Sequence, residues 1–166
     1  MEAEALRPQP GVFVVRPGHP LTHRPGVTLA DIMAYPFAFI GRAPREVQAS
    51  LVKAREAARE RGAPHAAFPA LVHESPTVAL NLVARSDVVV AATTGLAARL
   101  LRLGEVVALP WREPWVCIHP GVLRLRGRRL GEAETGFLDL LRDADAQGHA
   151  EGLRICGELG VSAECA

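Results

Sequence analysis

Between residues 11 and 110, short β-rich apolar runs alternate with stretches of helical periodicity, and this alternation constrains the fold more than any single motif. GVFVVR at 11–16 ends at Pro17-Gly18, so it reads as a buried strand entering a turn. Over 27–32 the spacing predicts a short helix, with Thr28 as its N-cap and Asp31 completing a capping box. Tyr35-Pro36 stops that helix, because proline disfavours the α conformation in the residue before it. FAFI at 37–40 is the second strand. Residues 44–61 give the clearest helix, with Val47, Leu51, Ala54 and Ala58 on one stripe and Arg55, Arg59 and Glu60 off it. Gly62 is its C-cap. A third strand is expected at 71–74. Ser75 before Pro76 then places a capping hydroxyl ahead of a helix over 77–85. DVVVAA at 87–92 is nearly all apolar, as a parallel strand covered on both faces would be. A helix at 96–102 and a fifth strand at 106–109 complete the series. Such alternation predicts an α/β fold with right-handed crossovers, an open and mainly parallel sheet, and helices on both faces.

Beyond residue 110 the pattern changes. WVCIHPGVLRLR at 115–126 is an extended run interrupted by Pro120-Gly121. A helix over 131–146 carries Phe137, Leu138, Leu140 and Leu141 on its apolar side, and a weaker helix at about 150–159 precedes a tail. The 166 residues suit one ordinary domain, and 49% apolar with 22% charged residues excludes disorder and a disulfide scaffold. No apolar stretch approaches the ~20 residues of a membrane span. Met1-Glu2-Ala3-Glu4 is acidic where a signal peptide would be basic, so the expectation is a cytoplasmic chain with no membrane partner. Nineteen Lys and Arg against 18 Asp and Glu leave no global field to draw nucleic acid. Three cysteines (Cys117, Cys156 and Cys165) form no CxxC motif and are expected to be reduced thiols.

No catalytic constellation emerges. His19, His23, His65, His73 and His119 are scattered without metal-ligand spacing, Ser75 lacks a GxSxG setting, and Gly41-Arg42-Ala43 fits neither phosphate-loop pattern. The expectation is therefore a binding module and not an enzyme, with no catalytic residue, no metal and no cofactor. What remains is a geometric site, since ligands of open α/β sheets sit outside the carboxyl ends of the strands. Two places qualify: 41–50 after the second strand, and Glu74-Ser75-Pro76-Thr77 after the third. Free amides and the helix dipole there favour a small anion. Ser75 and Thr77 either help bind it or only cap the helix, and Arg42 either forks an anion or is solvated. Trp111 and Trp115 are expected to pack in the core, and Arg124, Arg126, Arg128 and Arg129 to form a solvated strand face.

The order of motifs carries a resemblance. Val14-Val15-Arg16-Pro17-Gly18-His19-Pro20-Leu21-Thr22, then Val27-Thr28-Leu29-Ala30-Asp31-Ile32, then Tyr35-Pro36-Phe37, resembles the effector-binding domain of LysR-type transcriptional regulators. Leu80-Asn81-Leu82-Val83-Ala84-Arg85-Ser86-Asp87-Val88, Arg126-Gly127-Arg128-Arg129-Leu130 and Phe137-Leu138-Asp139-Leu140-Leu141-Arg142 extend the likeness to about residue 146. It departs from the family where Ser86 and Val88 replace glycines and Thr93 replaces a proline. The resemblance implies a lobe like those of type II periplasmic binding proteins. Residues 1–110 would form the second lobe, 111–147 a return strand and helix toward the first, and 148–166 a C-terminal helix and tail. It implies a small organic effector, of anionic character from the helix-terminus argument, with Gly41, Arg42, Ser50, Glu74, Ser75, Thr77 and Thr93 as candidate contacts. It also implies a homo-oligomer, and DNA contact only through a winged helix-turn-helix that this chain does not contain. The alternative is a stand-alone oligomerisation module, because nothing in the sequence obviously covers the apolar face of 115–146.

Overall fold

The computed structural model describes residues 1–42, 45–63 and 67–165, with the side chain of Glu46 left aside. The expected helix start at Pro44, and His65, lie outside the described residues. The main sheet has the order β4-β3-β5-β2-β6, from β2 (Gln9–Val15), β3 (Phe37–Ile40), β4 (Leu71–His73), β5 (Val89–Thr93) and β6 (Val107–Ala108). β3 pairs in parallel with β4 and β5. β2 is the exception. It lies antiparallel between β5 and β6, and its first residues also pair with β7 (Cys117–Ile118). The sheet is thus mixed and mostly parallel, with only β2 reversed. Alternating hydrophobicity cannot reveal this, because polarity is set by where the chain comes from. Here β2 is entered from residues pinned to the later return segment, Leu6 N–H donating to Pro120 C=O at 3.0 Å and Gly11 N–H to Val116 C=O at 2.8 Å.

Successive β2 residues face opposite layers, as the pleat dictates. Phe13 and Val15 join Ile32, Met33, Phe37, Leu51 and Val89 beneath α1 (Leu29–Ile32) and α2 (Arg45–Glu60). Val12 and Val14 join Leu80, Val83, Val90 and Ala97 beneath α3 (Pro76–Val83) and α4 (Thr94–Arg102). Helices therefore cover both faces. The capping box at α1 forms as expected: Asp31 N–H donates to Thr28 Oγ1 and Thr28 N–H to Asp31 Oδ2. Gly62 ends α2 at φ 86°, a conformation glycine adopts without strain.

Four expectations need correction or extension. Arg55, placed off the apolar stripe, is buried; its guanidinium reaches under α1 and donates to the Met33 carbonyl, so its stem packs while its charge is satisfied. The two C-terminal helices are one, α5 (Glu132–Leu159). Gly148 and Gly152 do not break it; they let it approach β2, where a Cβ on Gly152 would lie 2.7 Å from Thr94 Oγ1 and 2.8 Å from Pro10 Cγ. Buried Asp145 fixes the same helix face by accepting from Arg7 N–H and Gln9 Nε2, each at 3.1 Å. Cys117 and Cys165 are joined in a disulfide, leaving only Cys156 free and buried. They lie 48 positions apart, so spacing gave no sign of the pairing. The extended run at 115–126 splits into β7 and β8 (Gly121–Arg124), and β8 pairs antiparallel with β1 (Glu2–Ala5), a strand absent from the sequence reading.

Candidate ligand cleft

β3 and β5 are neighbours that end at Ile40 and Thr93, and beyond their carboxyl ends the chain enters α2 and α4. A cavity of about 150 Å³ opens there. Its floor is the sheet, with Gly11, Phe13, Phe39, Ala91 and Ala92. One wall is α2, with Val47 and Leu51, and the opposite wall is the return segment Trp115-Val116-Cys117-Ile118. Gly11 has a specific role in the floor: a Cβ there would meet Val116 Cγ1 at 3.0 Å, so glycine lets the return segment close against β2.

Polar groups in this apolar cleft are few. Arg42 lies at the exposed mouth. Thr93 occupies the N-cap position of α4, but its side chain makes no capping bond, so its hydroxyl is not spent on the helix. A helix N-terminus and a guanidinium both attract negative charge, and the surrounding low-polarity walls strengthen that attraction.

Of the seven candidate residues, the structure brings Arg42 and Thr93 to the cleft. Gly41 sits beside it at φ 67°, its amide donating to His73 C=O at 3.1 Å and so holding the exit of β3 against β4. Ser50 is half-buried on α2 and is not part of the lining. Ser75 caps α3, accepting from Val78 N–H at 3.5 Å, and its own amide donates to His73 Nδ1 at 2.9 Å. Glu74 and Thr77 are exposed beside it, away from the cleft lining. Sequence reasoning missed the aromatic and aliphatic lining. Phe39 carried a signal, since alternation in FAFI turns it to the same face as Phe37. Trp111 and Trp115 both pack against the core as expected, Trp111 on Phe13 with ring centroids 5.5 Å apart, and Trp115 also lines the cleft.

Fold and cleft define a class: an α/β fold of the periplasmic-binding-protein kind, with a cavity at the carboxyl ends of its strands. The comparisons carry this to a family. The LysR substrate binding domain matches residues 1–146, and the chain belongs to that family. It is an effector-binding domain of a LysR-type transcriptional regulator. A curated relative, the SDS degradation transcriptional activation protein of Pseudomonas sp. (strain ATCC 19151), is 32% identical over 158 residues, covering 89% of this chain and 46% of the relative. The chain thus spans less than half of that protein. Among solved structures, a putative transcriptional regulator from Vibrio parahaemolyticus is similar with a TM-score of 0.61 at 16% identity, over 90% of this chain and 66% of that one. The effector domain of AmpR of Pseudomonas aeruginosa follows with a TM-score of 0.58 at 20% identity, over 88% and 66%. At such identities these two speak for the fold. Among the described residues no helix is long and apolar enough to cross a membrane.

Proposed function

We propose that the cleft binds a small amphipathic organic anion as effector, its apolar body against Phe39, Leu51 and Trp115 and its charge at Arg42 and the Thr93 hydroxyl. The observation that carries this is the division of chemistry in one cavity: among the described lining residues the walls are largely apolar, with the Arg42 cation and the uncommitted Thr93 hydroxyl beside them. The curated relative is named for SDS degradation, and SDS has the same division, an apolar chain ending in an anion. Binding, not turnover, is the role: the chain senses an effector in the cytoplasm as part of a homo-oligomeric regulator, and DNA is reached through a helix-turn-helix outside these residues. An effector that favours one arrangement of the lobes shifts the oligomer toward it.

Calorimetry with benzoate, hexanoate, hexyl sulfate and hexanol tests the reading. The anions are expected to bind, hexanol to bind more weakly, and Arg42→Ala to remove the difference. Equal binding of hexanol and hexanoate to the unmodified chain refutes the anionic assignment, and no heat with any of the four refutes the cleft as the effector site.

A second reading, self-association, is favoured by one observation. β8 and the first half of α5 expose Leu123 (68%), Phe137 (64%) and Leu140 (71%) together with Leu125, a larger apolar surface than scattered surface leucines explain. Sedimentation as a single monomer would remove it.

A further inference from the structure

The C-terminal tail does not leave the fold after α5. Gly160 turns it at φ 67°, and Val161 N–H donates back to Cys156 C=O at 3.0 Å. The tail then crosses Arg112, whose Nη1 donates to the carbonyls of Ser162 and Glu164. It ends at Cys165, bonded to Cys117. The same guanidinium also holds two residues of the cleft wall: Nε donates to Gly11 C=O at 3.2 Å and Nη2 to Val116 C=O at 2.9 Å. Gly11, Val116 and Cys117 all line the cavity. Arg112 is thus a clamp between tail and cleft wall, and the disulfide is its covalent pin.

The pin decides whether the tail stays. Ser162 and Glu164 are exposed, and Val161, Ala163 and Cys165 only half-buried, so little apolar burial holds this segment. Ordering five residues costs more than hydrogen bonds from one guanidinium to backbone carbonyls return. A disulfide in a cytoplasmic protein is typically transient and redox-sensing, an argument that rests on the cytoplasmic reading above.

We propose that Cys117–Cys165 is a redox latch on the effector cleft: reduction releases the tail from Arg112 and loosens the wall formed by β7. A dithiol reductant supplies the two electrons. Its thiolate attacks one sulfur, forming a mixed disulfide and expelling the other as a thiolate. Its second thiol then displaces the remaining cysteine. The reductant leaves as a cyclic disulfide, and Cys117 and Cys165 each end as a protonated thiol. Hydrogen peroxide reverses the step, two thiols and one H2O2 giving the disulfide and two waters. Cys156 takes no part.

Hydrogen-exchange mass spectrometry on the whole chain tests this without any effector, so its outcome is separate from that of the binding reading. Peptides covering 112–118 and 160–165 are compared after peroxide and after dithiothreitol, with alkylation counting the free thiols. Reduction is expected to speed exchange in both segments by about tenfold or more, leaving α3 and α4 unchanged. Cys165→Ser is expected to reproduce the reduced pattern under oxidising conditions, while Cys156→Ser keeps the redox response. Two results would overturn the latch: exchange that does not change although three thiols alkylate, or three alkylatable thiols after peroxide treatment. The comparison on the unmodified chain holds even if a variant fails to fold.

Discussion

Gly152→Ala puts a number on the tightest glycine contact among the described residues. In an isolated helix the change stabilises by about 1 kcal/mol, since alanine is the best helix former and glycine among the worst. In α5 the new Cβ would lie 2.7 Å from Thr94 Oγ1, 2.8 Å from Pro10 Cγ and 3.1 Å from Pro10 Cδ. Neither neighbour yields easily. The proline ring is fixed in β2, and the buried Thr94 hydroxyl donates to Pro10 C=O at 3.1 Å. Overpacking of this kind costs about 1–3 kcal/mol, and straining the Thr94 bond adds about 1 kcal/mol. Set against the propensity gain, the net loss is about 1–3 kcal/mol. Gly157→Ala is the control, because nothing lies within 4 Å of its Cβ position and the propensity gain of about 1 kcal/mol should appear undiminished. Gly148→Ala should fall between, its nearest neighbour being the movable Gln9 Oε1 at 3.4 Å. Urea unfolding midpoints at constant slope give the ranking, and each kcal/mol shifts the thermal midpoint by about 2–4 °C in a chain of this size. If Gly152→Ala is as stable as Gly157→Ala, α5 does not pack on β2 as described.

Two further outcomes follow from groups buried around the first turn region. His19 is fully buried, its Nδ1 accepts from Leu21 N–H at 3.2 Å, and its Nε2 has no hydrogen-bond partner among the described residues. Burial lowers its pKa below 6.5, against the opposing charge of Asp87. The unfolded chain then takes up the proton first, so stability should be highest above about pH 6.5 and fall with acidification by at most about 1.4 kcal/mol per pH unit from this group. Urea midpoints at pH 7.5 and 5.5 check it, and His19→Phe should reduce the difference. For Asp31, burial opposes ionisation, but the Thr28 hydrogen bonds and the charges of Arg24 and Arg61 prevail and lower its pKa. Its contribution is present above about pH 4 and is lost as pH falls through the lowered folded value. Thr28→Ala should cost about 1 kcal/mol at neutral pH through the lost cap, and should shrink that acid-dependent share in the same unfolding series.

What was legible in the sequence was what neighbours along the chain decide. The Thr28–Asp31 capping box and the strand at Phe37–Ile40 appear with the expected residues because each depends on a few adjacent side chains. What was not legible depends on distant chain. A glycine that ends a helix and one that admits a neighbour look alike in sequence, so Gly148 read as a break although it lies against Gln9. The reversal of β2 and the Cys117–Cys165 pairing likewise arise from the return segment, which no local pattern connects to β2 or to the tail. The cleft divides in the same way. Arg42 and Thr93 follow directly from strand ends, whereas Trp115 packs on the core as expected and reaches the cleft from the extended run beyond residue 110, which no local pattern ties to β3 or β5.

Val116 and Cys117 are at once cleft wall, neighbours of β2 and anchors of the tail. The opposite wall, α2, is built from one continuous stretch and packs on its own local core at Leu51 and Ala58. The two walls therefore differ in what holds them. The α2 wall is stable as far as the α1–α2 core is stable, while the return wall depends on contacts that converge on Gln9, Pro10 and Gly11: β7 pairing with the first two, Gly152 on Pro10, and Arg112 on Gly11. A shift of α5 against Pro10 moves the residue that pairs with Cys117, so the packing of the C-terminal helix and the width of the cleft are set at the same place. A substitution at Gly152 therefore bears on the return wall before it bears on the α2 wall, and Trp115 stands on the return wall.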